Sequence, residues 1–179
     1  MIYCAATLFR KISLSVERVQ TGFMVVLPTT PFLASSDDTV TAGALGYDTV
    51  DYSGADSGIN WSAVGVQISQ VEEVIGTDFA DDFQLFTSVA GSYAGFESNV
   101  LIRGAGGNDL IRGNGGQNKL YGDEGDDRIW GGSGDDTIDG GAGDDRIFGD
   151  STGFLTPDGD DTISGGSGDD YIDGQGGTV

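Results

Sequence analysis

GDEGDDRIW GGSGDDTID GGAGDDRIF, residues Gly122 to Phe148, is one nine-residue unit written three times. The same phase extends in both directions. Upstream lie GAGGNDLIR (Gly104 to Arg112) and GNGGQNKLY (Gly113 to Tyr121). Downstream, a sixth unit opens at Gly149-Asp150, takes an insertion from Ser151 to Pro157 and resumes as DGDDTIS, Asp158 to Ser164. GGSGDDYID (Gly165 to Asp173) is the seventh, and an eighth begins at Gly174. Positions one and four are Gly in all seven complete units. Position eight is always Ile or Leu: Ile111, Leu120, Ile129, Ile138, Ile147, Ile163 and Ile172. Position six is Asp109, Asp127, Asp136, Asp145, Asp161 or Asp170, with Asn118 in the second unit. Low-complexity disorder would not hold an aliphatic residue at one phase through seven units, so the segment is read as folded.

Each position has a physical task. Glycine allows the backbone of a tight loop to take left-handed values and turn its carbonyl oxygens inward. Position eight sits in a very short strand and points in, while positions seven and nine point out by the period-two rule. Two units make one coil, with two loops and two strands. Stacked coils then give two parallel sheets with neighbouring strands ~4.8 Å apart. The core is thin. A buried Ile contributes about 2 kcal/mol, whereas ordering the backbone costs about 1–2 kcal/mol per residue and glycine costs most. Apolar burial alone should not fold this segment.

The acidic loops indicate what does. Units n and n+2 stack on one side, which brings Asp109 to Asp127, Asn118 to Asp136, Asp127 to Asp145, Asp136 to Asp161, and Asp145 to Asp170. Each pairing offers only oxygen. Six to eight hard oxygen ligands suit Ca²⁺, Mg²⁺ seldom uses an all-protein cage, and Zn²⁺ prefers His and Cys. Residues 104 to 179 hold 17 acidic and 4 basic side chains, a balance of −13. About five Ca²⁺ ions would offset most of it, and their binding free energy would appear as folding free energy. Asp and Gly also form turns, but turn formation does not fix Asp two residues before an aliphatic in six of seven units. The position-five acids Asp126, Asp135, Asp144, Asp160 and Asp169 are expected to be outward and solvated. Paired carboxylates can hydrolyse glycosides, yet here they recur regularly and form no single special dyad.

Composition narrows the function further. With 8 basic against 29 acidic residues, the net charge of −21 argues against nucleic acid and anionic membrane surfaces as partners. The chain has no histidine, which removes Ser-His-Asp, Cys-His and His-based zinc chemistry. Its one cysteine, Cys4, can form no internal disulfide. No apolar run is long enough to span a bilayer. Gly22 to Leu33 (GFMVVLPTTPFL) follows Arg10, Lys11 and Arg18 as a signal peptide would, but Pro28 and Pro31 interrupt it, and it is read as strand and turn.

Upstream of Gly104 the repeat decays. GALGYDTVD (Gly43 to Asp51) keeps Asp48 at six and Val50 at eight. GTDFADDFQ (Gly76 to Gln84) keeps Asp81 and Phe83 but has Phe79 for the second Gly. Leu101-Ile102-Arg103-Gly104 recurs as Leu110-Ile111-Arg112-Gly113, with Val100 at six and therefore no expected ligand. Val64, Val66 and Ile68 alternate as in a strand, and so do Ile12, Leu14 and Val16. The chain divides into a repeat-free segment at 1–41, a degenerate run-in or cap at 42–103, and a regular roll at 104–179.

At GGSGDDTID, GGAGDDRIF and GGSGDDYID the sequence resembles the RTX family of haemolysin-type calcium-binding repeats, strongly over Gly104 to Val179 and weakly over Gly43 to Arg103. GYDTVDYSGA (Gly46 to Ala55) and VEEVIGTDFADDF (Val71 to Phe83) look like the run-in that precedes such repeats. The resemblance implies an all-β fold, a right-handed parallel β-roll with an irregular β-rich N-terminal part. It implies Ca²⁺ held by the position-six Asp residues and by carbonyls of Gly122, Gly125, Gly131, Gly132, Gly134, Gly140, Gly141, Gly143, Gly165, Gly166 and Gly168. It also implies type I export and folding in extracellular calcium, hence a secreted or cell-surface location. Such rolls stand beside protease, lipase, epimerase, cytolysin or adhesin domains. No catalytic domain is visible, and the last unit breaks off at Val179 where a cap and secretion signal are expected, so the chain is read as a fragment or truncated product. Three readings follow: a calcium-binding structural module with no catalysis of its own, the C-terminal part of a secreted enzyme or toxin, and an adhesive module using Trp130, Phe148 and Tyr171.

Overall fold

The structure, a computed structural model, describes residues 2–3, 13–15, 24–26, 39–41, 47–60, 67–69, 71–84, 99–150 and 159–175. Among them there is no helix. The strands are β1 (Ile2–Tyr3), β2 (Ser13–Ser15), β3 (Met24–Val26), β4 (Thr39–Thr41), β5 (Thr49–Asp51), β6 (Gln67–Ser69), β7 (Glu73–Ile75) and β8 (Asp82–Gln84). They continue as β9 (Leu101–Arg103), β10 (Leu110–Arg112), β11 (Lys119–Glu124), β12 (Arg128–Gly132), β13 (Thr137–Ala142), β14 (Arg146–Asp150), β15 (Thr162–Ser167) and β16 (Tyr171–Asp173).

Odd and even strands separate, as a coil with two strands per turn requires. The odd strands form one sheet in the order β1-β3-β5-β7-β9-β11-β13-β15. The even strands form β16-β14-β12-β10-β8 and, separately, β2-β4-β6. Every pairing between them is parallel. This is a parallel β-roll. The N-terminal segment, 1–41, contributes β1 to β4, where the Ile12-Leu14-Val16 alternation indicated a single strand. β1 and β3 join the eight-stranded sheet, with Val25 beside Val50, while β2 and β4 pair with β6 in the separate three-stranded sheet, with Val40 beside Ile68.

The inward residues lie in register. Val50, Val74, Ile102, Leu120, Ile138 and Ile163 align along one sheet. Phe83, Ile111, Ile129, Ile147 and Ile172 align along the other. Ile102 to Leu120 and Leu120 to Ile138 are each a step of two nine-residue units, the coil that the repeat dictates. Ile138 to Ile163 is a step of 25 (163 − 138), so the roll absorbs the inserted stretch from Ser151 to Pro157 without losing register. Val74 to Ile102 and Phe83 to Ile111 are both steps of 28 (102 − 74, 111 − 83).

The core is this double row, and its members from Val50 to Ile147 are almost completely buried. Ile163 is only partly buried and Ile172 is 39% exposed. Position eight does not guarantee burial, because β15 and β16 end their sheets among the described residues and lack a coil on one side. Cys4, Gly43 to Gly46, Val64, Val66 and residues 151 to 158 lie outside the described residues, and so does Gly22 to Leu33 apart from β3.

Candidate metal centre

The position-six side chains form two ladders beside the core. On one side the amide of each residue donates to the carboxylate of the next coil. Ile59 donates to Asp81 Oδ1 (2.6 Å), Asp81 to Asp109 (2.7 Å), Asp109 to Asp127 (2.8 Å), Asp127 to Asp145 (2.8 Å) and Asp145 to Asp170 (3.0 Å). On the other side Val100 donates to Asn118 Oδ1 (3.3 Å), Asn118 to Asp136 (2.8 Å) and Asp136 to Asp161 (3.0 Å). All five pairings expected from sequence therefore meet, each through Oδ1. Asp109, Asp127, Asp136, Asp145 and Asp161 are at most 4% exposed.

Their second oxygens are the telling atoms. Oδ2 of Asp109, Asp127, Asp136, Asp145 and Asp161 is buried and accepts no hydrogen bond. Each turns toward the position-one glycine of its own unit and the position-one carbonyl of the next coil. A β-carbon built on Gly104 would lie 2.1 Å from Asp109 Oδ2 and 2.5 Å from Gly122 O. The corresponding distances are 2.0 and 2.4 Å at Gly122 (Asp127, Gly140), and 2.3 and 2.2 Å at Gly131 (Asp136, Gly149). They are 2.3 and 2.5 Å at Gly140 (Asp145, Gly165), and 2.2 and 2.7 Å at Gly149 (Asp161, Gly174). Position one must be glycine because a side chain would fill this space. A carboxylate oxygen facing a carbonyl oxygen with no donor between them is an arrangement that a cation stabilises and that nothing neutral in the roll satisfies.

Electrostatics agree. Burial, reinforced by neighbouring carboxylates, pushes the Asp109 carboxyl up to about 8 and those of Asp127 and Asp136 to about 7, while backbone amides partly oppose the rise. Burial likewise raises Asp145, Asp161 and Asp81. The chain alone thus disfavours the charge that its geometry concentrates, and a cation would reverse that. No cluster of three or more acidic side chains converges among the described residues. A cation here would have to take most of its ligands from backbone carbonyls, a donor set that suits a hard, oxygen-seeking ion such as calcium.

The glycines have divided roles. Carbonyls of Gly122, Gly140 and Gly165, with Gly149 and Gly174 that the sequence reading left out, face the orphan carboxylate oxygens, whereas the Gly131 carbonyl faces the Asn118 amide nitrogen. Gly125, Gly132, Gly134, Gly141, Gly143, Gly166 and Gly168 have φ between 97° and 139°, closed to most side chains, and shape the loops. Asp170 stands apart: it is only partly buried, and among the described residues no next-coil carbonyl approaches Gly165. Asn118 also differs, because its Nδ2 donates to Gly116 O (3.0 Å) where the aspartates leave a bare oxygen.

Sequence reading missed three features. Glu72, two residues before the inward Val74, accepts from the Asp48 amide (2.8 Å) and continues the ladder with a longer side chain. Position-five side chains are exposed but not idle. Asp126 accepts from the Asp144 amide, Asp144 from Asp169 and Asp135 from Asp160, each at 2.9–3.0 Å, in a second, outer ladder. Trp130 and Phe148 stack on each other (centroids 5.2 Å, 10° between planes), with Arg112 over Trp130 at 4.4 Å and Tyr171 against Phe148 at 5.9 Å. The aromatic row packs along the roll.

Residues 101–129, 121–151 and 158–178 match the family model of the RTX calcium-binding nonapeptide repeat, four copies. Residues 101–151 and 158–178 carry RTX repeats. The cation that RTX repeats bind is calcium, in keeping with the all-oxygen cages of this roll. Comparison with curated proteins gave no match. The matched RTX segments span β9 to β16 and contain all five buried orphan carboxylates.

Proposed function

We propose that residues 104–179 are a calcium-dependent structural module, compact only when calcium fills the cages between successive coils, and that the chain works outside the cell as part of a secreted or surface-held RTX-type protein. Asp109, Asp127, Asp136, Asp145 and Asp161 each give a carboxylate oxygen. The glycine carbonyls of the next coil complete the set, with one ion per cage and about five in all. The carrying observation is the row of five buried carboxylate oxygens turned toward carbonyls with no donor. An uncompensated buried charge costs several kcal/mol. Without a cation these groups close into the roll only by taking up protons, as the raised carboxyls of Asp109, Asp127 and Asp136 indicate. Extracellular calcium is millimolar and would fill such sites after export, so the chain would travel unfolded and compact outside. Residues 42–103 act as the run-in to this module.

Circular dichroism with thermal melts, in chelator and in millimolar Ca²⁺, tests the reading alongside a calorimetric ion count. The β signal and a cooperative melt should require calcium. A roll that melts identically in both buffers ends the proposal.

A further inference from the structure

The Asp81 rung has the geometry of the calcium cages but not their vacancy of donors. A β-carbon on Gly76 would lie 2.6 Å from Asp81 Oδ2 and 2.2 Å from Gly104 O, as in the cages above it. Yet Asp81 Oδ2 accepts the Thr77 amide at 2.8 Å. Oδ1 takes the Ile59 amide at 2.6 Å and faces the Thr77 hydroxyl at 3.1 Å, whose one proton it shares with the Phe79 carbonyl at 3.0 Å. Thr77 is fully buried, and its Oγ1 accepts the Phe79 amide at 3.0 Å, which fixes the side chain in place. Thr77 is at position two of its unit. Later units have Ala105, Asn114, Asp123, Gly132, Gly141, Asp150 and Gly166 there, none with a hydroxyl. Both oxygens of Asp81 are thus satisfied by the chain itself.

We propose that Thr77 takes the cation's place in the cage formed by Gly76, Asp81 and Gly104, so that this rung closes without calcium and is the template on which the first calcium-bound coil is laid. This rests on the calcium reading of the later cages. The upper surface of the rung is already prepared. The Asp81 amide donates to Asp109 Oδ1 and the Asp81 carbonyl accepts the Leu110 amide at 2.8 Å, so a closed Asp81 rung positions Asp109 for its ion. Beneath it Ile59 aligns with Asp81 and brings no carboxylate, so among the described residues the ladder on this side starts at the threonine-closed rung. A preformed step lowers the cost of ordering the next coil, because in a stacked repeat each unit stabilises only its neighbours.

Amide hydrogen exchange on the full chain, with and without calcium, tests the idea. Without calcium, the Ile59, Thr77 and Asp81 amides should exchange about tenfold or more slowly than those of Asp127 and Asp145. Equal exchange of the two sets overturns the proposal. Thr77→Gly keeps the backbone amide but removes the side chain that fixes it through Phe79, so the amide is free to leave Asp81 Oδ2; the calorimetric count should then rise by one calcium, with Ile59 protection now requiring the ion. An unchanged count is evidence against. Thr77→Val keeps the volume and removes the hydroxyl. It should keep the wild-type count but lose most of the metal-free protection at Ile59, and retained protection also refutes the role of the hydroxyl. A wild type that binds no calcium sinks the reading of the later cages, while metal-free exchange at Ile59 and Thr77 still judges this rung by itself.

Discussion

Replacing Gly122 by alanine puts a methyl group into the Asp127 cage. Its carbon would stand 2.0 Å from Asp127 Oδ2 and 2.4 Å from Gly140 O, far inside contact distance. Either the carboxylate and the next coil move apart or the cage cannot close on an ion. Losing one site occupied at 100 times its Kd removes about 2.7 kcal/mol. Forcing neighbouring backbone apart adds about 1–3 kcal/mol. The sum, about 4–6 kcal/mol, corresponds to a drop of about 10–20 °C in melting temperature for a chain of this size. Gly115→Ala is the matched control: nothing lies within 4 Å of its added carbon, and its φ lies outside the left-handed region. Its effect should stay within about 0.5 kcal/mol. The assay is a pair of calcium-saturated melts with an ion count on each variant. If Gly122→Ala binds as many ions as the wild type and melts within a degree or two of it, the cage is not where the ion sits.

Two further outcomes follow from the same geometry. In metal-free buffer the folded carboxyls of Asp109, Asp127 and Asp136 hold protons up to about 7–8, against an unfolded value near 4. Their contribution is therefore complete below about pH 4 and is lost as pH rises toward 8. Any β signal that low pH restores without metal should therefore fade over that range. With calcium the order reverses, since protons compete with the ion, and a metal-free β signal that grows with pH contradicts the electrostatics. Along the core, Ile147→Ala should cost about 2–5 kcal/mol, because Ile147 is fully buried, whereas the 39% exposed Ile172 should lose well under half of that. Equal denaturant midpoints for the two variants would refute the assignment of the last coil.

The roll was legible wherever one coil is two nine-residue units, because there the chain repeats its physical tasks at fixed intervals. Ile111, Ile129 and Ile147 could be aligned by counting, and so could the aspartates beside them. Legibility failed where the coil lengthens. Val25, Val50, Val74 and Ile102 stack as the later residues do, but at steps of 25, 24 and 28, so no single period joins them. The site was read at the level of its carboxylates and less well at its exceptions. Glu72 does an aspartate's work with one more methylene, and Thr77 does a cation's work with an amide and a hydroxyl. Neither breaks a visible rule, since what matters is which atom reaches the cage. Asn118 was paired correctly with Asp136, but its amide nitrogen changes what that cage can hold, a difference of one atom that counting cannot weigh.

The lengthened step between Ile138 and Ile163 has a consequence for how such a protein can vary. The extra chain enters between β14 and β15 and leaves the stacking of the neighbouring rungs unchanged. Bends are therefore places where a segment with its own task can be grafted, long or short, while the interior stays blind to it. Diversity in this architecture accumulates at its corners, and the axis remains a fixed ruler along which those corners are spaced.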